Sequence, residues 1–157
     1  MIKISIPGRQ LTLVLDTLLL DLNGTLAVDG ILLEGVKERI EVLRDKVKIY
    51  LLTADTFGAA RGIAEELDIE LLKVGPEDGG QDKLDMLNTL QGENCAAVGN
   101  GYNDRLMLAA AGLSIAVIEG EGCSVKALQA SDIAVRSIND ALDLLINPLR
   151  TIATLRS

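Results

Sequence analysis

The chain has 157 residues, 48% hydrophobic but only 2% aromatic, and its 15 Lys and Arg against 23 Asp and Glu leave a net charge of −8. That charge repels nucleic acid and anionic membranes, and so few aromatics argue against stacking on bases. With no His and only Cys95 and Cys123, the chain offers neither a thiolate zinc site nor a Ser-His or Cys-His nucleophile.

The length suits one domain, residues 1–157, with a core built from Leu, Ile, Val and Ala. No basic-then-apolar leader opens it, and Leu11 to Leu22, interrupted by Asp16, is shorter than the roughly 20 residues a bilayer needs. A soluble, cytoplasmic protein with reduced thiols is expected. Residues 2–6 alternate as a half-buried strand, Pro7-Gly8 signals a turn, and Leu11 to Leu15 returns, so residues 1–16 read as a β-hairpin extension on the main sheet. Thr17 to Asp21 is a buried strand. Asp29-Gly30 makes residues 27–33 a small hairpin flap.

From Glu34 the periodicity alternates. Val36, Ile40 and Leu43 mark a helix; Val47 to Leu52 is a strand; Phe57, Ala60, Ile63, Ala64 and Leu67 mark a second helix; Ile69 to Val74 is a strand. The loop 75–80 opens a helix that Lys83 begins. Cys95 to Val98 is a strand, Asp104 to Ala111 a helix, Leu113 to Ile118 a strand, Ser124 to Ala130 a helix and Ile133 to Val135 a strand. Ile138 to Ile146 is an amphipathic helix, and Pro148 starts a short last one. This alternation predicts an α/β fold, a Rossmann-like parallel sheet with helices on both faces.

Three strands end in polar residues: Asp21 to Thr25, Thr53 to Asp55, and Asn100 to Asp104. Ligands of open α/β sheets sit at the carboxyl ends of strands, so Asp21 is placed where chemistry is done, although it would also serve as a turn cap. Gly24 lets the backbone approach a ligand, and Thr25 brings a hydroxyl and an N–H suited to phosphate oxygens. If the strands are adjacent, these groups and Lys83 converge on one small anion. Chemically that is a kit for phosphoryl transfer: a carboxylate nucleophile, donors for the phosphoryl oxygens, a neutralising Lys and an acid for Mg²⁺. Lys83 could equally be a solvated charge, Lys73 a weaker substitute for it, and Asp104 or Asn103 a helix cap.

DLNGTL, Thr53 after a strand, Lys83 at a helix start and GNGYND, in that order, resemble the four motifs of the haloacid dehalogenase-like (HAD) superfamily. The stretch from Val98 to Val135 is similar to the phosphorylation domain of P-type ATPases and their soluble relatives. The resemblance implies a HAD-like fold and an aspartyl-phosphate mechanism. By it, Asp21 is the nucleophile, Thr53 with Ala54 and Lys83 bind phosphate alongside Gly24 and Thr25, and Asp21, the Asn23 carbonyl, Asn100 and Asp104 surround Mg²⁺.

Two positions depart from the family pattern. Asn23 stands where phosphatases carry an acid, help that is typically worth roughly 10²–10⁴-fold, so slow turnover on poor leaving groups is expected. Asn100 replaces the first Asp of GDGxND and brings no charge to a metal. The intervals between Asp21, Thr53 and Lys83 are filled by helices and strands, leaving no room for a cap or an inserted nucleotide-binding domain. The expected function is a capless, Mg²⁺-dependent phosphohydrolase acting on a small phosphorylated substrate, with a homo-oligomer meeting at the 27–33 flap as one way to cover the site. The alternatives are a catalytically weakened phosphate-binding or regulatory protein, and a phosphoryl acceptor that needs a nucleotide-binding partner.

Overall fold

The computed structural model describes residues 1–54 and 58–157. β1 (Ile2–Ile6) and β2 (Leu11–Leu15) form an antiparallel hairpin, followed by β3 (Thr17–Asp21) and the flap strands β4 (Ala27–Val28) and β5 (Ile31–Leu32). The chain continues through α1 (Val36–Arg44), β6 (Lys48–Thr53), α2 (Ala59–Leu67), β7 (Glu70–Lys73), α3 (Gly79–Thr89) and β8 (Cys95–Gly99). It ends with α4 (Arg105–Ala110), β9 (Leu113–Val117), α5 (Val125–Gln129), β10 (Ile133–Val135), α6 (Ile138–Ile146) and α7 (Pro148–Leu155).

Six of these strands make one parallel sheet in the order β10-β9-β8-β3-β6-β7. Both faces are covered, which is why β3 reads as an unbroken leucine run rather than an alternation. Leu18 and Leu20 join a core with α1, α2, α6 and the β1–β2 hairpin, while Leu19 joins a second core with α3, α4 and α5. β3 is central, paired with β6 on one side and β8 on the other. The chain leaves β3 towards β6 and returns on its far side as β8, so the topological switch point lies at the end of β3, where Asp21 stands.

The sequence expectation of a parallel sheet sandwiched by helices is met, with corrections of detail. The β1–β2 hairpin is a sheet of its own, attached by its buried Ile2, Ile4, Ile6, Leu13 and Leu15 rather than as added strands. Val47 and Ile69 fall just outside their strands. A 3₁₀ turn at Tyr102–Asp104 precedes α4, so the helix begins at Arg105. Lys83 does not begin α3: the Asp78 side chain accepts from Gln81 N–H and caps the helix at Gly79, which puts Lys83 in the second turn. The expectations for Asp55 and Phe57 lie outside the described residues. Among the described residues no helix is long and apolar enough to cross a membrane.

Candidate active site

The site starts from a tight turn. After Asp21 the carbonyl of Leu22 accepts the N–H groups of Thr25, Leu26 and Ala27, and Gly24 N–H donates to the Ala27 carbonyl at 2.8 Å. Gly24 has φ +77°, a conformation that favours glycine, and a Cβ there would collide with Asn100 Nδ2. Leu22 and Leu26 are buried on either side and anchor the turn in the core. Asp21 is thereby held at the sheet edge beside Leu52 of β6, with Thr53 buried one residue further on and Ala54 half-buried after it.

α3 approaches from the second core. Its Gly80 is packed so closely that a Cβ would stand 3.3 Å from the Asn103 carbonyl oxygen. Lys83, which has no solvent exposure, therefore extends between two carboxylates, with Nζ 2.6 Å from Asp21 Oδ1 and 2.6 Å from Asp104 Oδ1. Asp104 is fixed on its other oxygen: Oδ2 accepts from Asn100 N–H at 3.1 Å and Gly101 N–H at 2.8 Å. Its side chain fills the space beside Gly99, where a Cβ would stand 2.6 Å from Asp104 Cγ. Asp104 thus closes the 100–104 turn behind it and makes no side-chain cap bond to α4, unlike the helix cap the sequence allowed, and it faces the cluster as well.

Thr25 Oγ1 lies 3.3 Å from Asp21 Oδ2 and 3.2 Å from Asn100 Oδ1, joining the first and third strand ends. Asn100 Nδ2 donates to the Gly122 carbonyl at 3.0 Å. Asn23 is exposed at the outer side of the turn.

The electrostatics follow from this packing. Burial, and next the Asp104 charge, push the Asp21 carboxyl from 3.8 up to about 7, against the pull of Lys83. For Lys83, burial alone would lower the ammonium, but Asp21 and Asp104 outweigh it and hold it above its ordinary value. One ammonium serves two carboxylates, leaving a negative charge for a cation to meet. The oxygens nearby are all hard donors: Asp21 Oδ2 and Asn100 Oδ1, which share the one Thr25 hydroxyl proton, and Asp104 Oδ1. This set fits Mg²⁺. Among the described residues no three His, Cys, Asp or Glu gather in a metal-binding group, so amide and backbone oxygens and water would complete the coordination shell.

Of the sequence candidates, the structure brings Asp21, Thr25, Lys83, Asn100 and Asp104 into direct contact, with Gly24 and Thr53 beside them. Lys73 lies exposed on edge strand β7. Sequence reasoning missed Gly80 and Gly99, whose lack of a side chain lets α3 and Asp104 close in, and Gly122, whose carbonyl meets Asn100. The Gly120-Glu121-Gly122 run after a strand was the available signal for the last.

A family model described as haloacid dehalogenase-like hydrolase matches residues 5–112. An uncharacterized protein of Methanocaldococcus jannaschii is 47% identical over 92 residues, which cover 54% of this chain and 99% of that one. A soluble P-type ATPase-like phosphatase of the same organism is 27% identical over 140 residues; the match takes 87% of this chain but spans 51% of the phosphatase. The crystal structure of 3-deoxy-D-manno-octulosonate 8-phosphate phosphatase from Moraxella catarrhalis, in complex with magnesium, phosphate and KDO, superposes with a TM-score of 0.68. It covers 88% of this chain and 90% of that one at 17% identity, a likeness of fold alone.

Proposed function

The chain belongs to the haloacid dehalogenase-like hydrolases, and we propose that it is a Mg²⁺-dependent phosphohydrolase working through an aspartyl phosphate on Asp21. The observation that carries this reading is the buried Asp21–Lys83–Asp104 bridge at the switch point of the sheet. A buried ion cluster of this kind contributes little to stability compared with apolar packing, so function is the better reason for its presence.

In the proposed reaction an Asp21 carboxylate oxygen attacks phosphorus in line with the leaving group. The bond from phosphorus to the leaving oxygen breaks, and that oxygen keeps the electron pair and takes a proton from solvent, because residue 23 offers an amide instead of an acid. Lys83 and Thr53 hold the phosphoryl oxygens and offset their charge, while the Gly24 and Thr25 N–H groups stay in the turn. Water then attacks the phosphorus and loses a proton to solvent. The Asp21–phosphorus bond breaks, releasing inorganic phosphate. Mg²⁺, held by Asp21, Asp104, Asn100 and the Asn23 carbonyl, would supply charge neutralisation and keep Asp21 ionised at neutral pH.

The substrate class is a small phosphate ester or anhydride, best an acyl or aryl phosphate whose leaving group needs no acid. The flap at 27–33, with Ile31 exposed, is the face at which a second copy would cover the site. Asn23 and Asn100 favour a second reading, a phosphate-binding or regulatory protein, or a phosphoryl acceptor that needs a nucleotide-binding partner. Hydrolysis of acetyl phosphate and p-nitrophenyl phosphate, with and without Mg²⁺ and with Asp21→Asn as control, separates the two. Metal-dependent turnover absent from the control is expected; no turnover above the control in folded protein leaves the binding role.

A further inference from the structure

Asn100 uses every polar group it has, and each bond reaches a different segment. Its side-chain oxygen accepts from Thr25 in the nucleophile turn, its backbone N–H donates to Asp104, its carbonyl accepts from Ser124 N–H at 2.8 Å, and its Nδ2 donates to the Gly122 carbonyl. The last bond is the informative one. An aspartate at this position could keep the contact with Thr25 but has no proton for Gly122, and its oxygen would face the carbonyl instead.

The loop that Asn100 holds, residues 118–124, is also the neighbour of the flap. Gly120 lies so close to β4 that a Cβ would stand 3.2 Å from Val28 Cγ1. Gly122, with φ +77° and open space around it, turns its carbonyl inward, and its N–H closes the loop on the Glu119 carbonyl at 2.8 Å. One side-chain amide therefore joins the nucleophile turn to the 118–124 loop, and the loop packs in turn against the flap.

We infer that Asn100 is a positioning residue: its amide nitrogen ties the 118–124 loop, which packs against Val28 of the flap at Gly120, to the nucleophile turn. The loop then forms a fixed wall next to the Asn100, Thr25 and Asp21 contacts, where it would meet the leaving group of a substrate attacked by Asp21. The identity of the residue at 100 serves rim order at the expense of charge at the metal. The tie itself does not depend on turnover; only the leaving-group role rests on the phosphohydrolase reading.

The test is proton exchange by NMR on the full chain. In the native protein one Asn100 Nδ2 proton and the amide protons of Gly122 and Ser124 should be protected. Gly122→Ala adds backbone strain without changing any charge, and Asn100→Asp removes the donor. Loss of one such bond should speed exchange at Gly122 and Ser124 by roughly three- to ten-fold while β3 and β8 keep their protection. An Asn100 side-chain amide that exchanges at the solvent rate in the native protein overturns the inference. So does unchanged loop exchange in Asn100→Asp, or a uniform rise across the sheet in both variants. Where turnover is measurable, Gly122→Ala should raise KM for p-nitrophenyl phosphate more than for acetyl phosphate with kcat retained, because the wall meets only the larger leaving group. Equal changes for both substrates would remove the leaving-group role.

Discussion

Lys83 Nζ stands 2.6 Å from Asp21 Oδ1, though 62 residues separate the two in the chain. The same nitrogen bonds Asp104, so a single buried ammonium holds the ends of two strands together.

Lys83→Met keeps much of the apolar stem but leaves two buried carboxylates without their counter-charge. Removing one partner of a buried pair typically costs about 3–5 kcal/mol. Urea unfolding should show a loss of that order, together with loss of turnover. Lys83→Arg should not restore activity, because a planar fork does not fit a position shaped for a point charge. A midpoint equal to the native one would mean that the bridge is not made in solution.

Asp21→Asn should change how stability depends on pH. The folded Asp21 carboxyl, raised to about 7, holds its proton more tightly than the unfolded one at 3.8. Its contribution is therefore full below 3.8 and is lost as pH rises through about 7. In EDTA the native protein should lose stability relative to Asp21→Asn over that window, and Mg²⁺ should reduce the difference by favouring the ionised form. Unfolding midpoints of the two proteins that run parallel with pH would refute the buried, protonatable nucleophile.

Asn23→Asp and Asn100→Asp test the two departures separately. Asn23 is exposed, so an acid fits there without repacking, and hydrolysis of poor leaving groups should rise by up to roughly 10²-fold, the low end of general acid help. Asn100→Asp meets opposing effects. It adds metal-binding charge, yet it loses the bond to Gly122 and crowds a third carboxylate against Asp21 and Asp104. Its melting temperature should fall in EDTA and recover with Mg²⁺ more than that of the native protein does. An Asn23→Asp variant that stays as slow as the native chain would point to the binding role.

Gly24→Ala and Gly30→Ala share a backbone conformation, φ +77° at both, but differ in surroundings: Gly30 has open space, whereas a Cβ at Gly24 meets Asn100. Gly30→Ala should cost about 1–2 kcal/mol from the backbone alone, and Gly24→Ala distinctly more, with turnover lost in the latter only. Equal losses in urea would mean that Asn100 yields freely.

The layout of the chain was legible because it is local. A leucine run ended by Asp21, the apolar spacing of Val36, Ile40 and Leu43, and the polar residues after each strand carry their periods in the sequence, and periodicity decides strand, helix and the edge where chemistry gathers. The helix carrying Lys83 starts earlier than its apolar spacing suggests, because Asp78 sets its start through a side-chain bond from Gln81 N–H.

Residue patterning along the chain fixes the sheet, its covered faces and the set of residues at its carboxyl edge. Which of them touch is a property of the packed molecule. Thr25 meets Asn100 across 75 residues and Lys83 meets Asp104 across 21. Neither distance has a period that a sequence can display. These contacts depend on how closely two packed elements approach, and that is set by missing side chains at Gly80, Gly99 and Gly24 as much as by the groups that bond. Whether Asn100 is a weakened metal ligand or a tie to Gly122 is likewise a matter of where its amide nitrogen points, and packing alone fixes that direction.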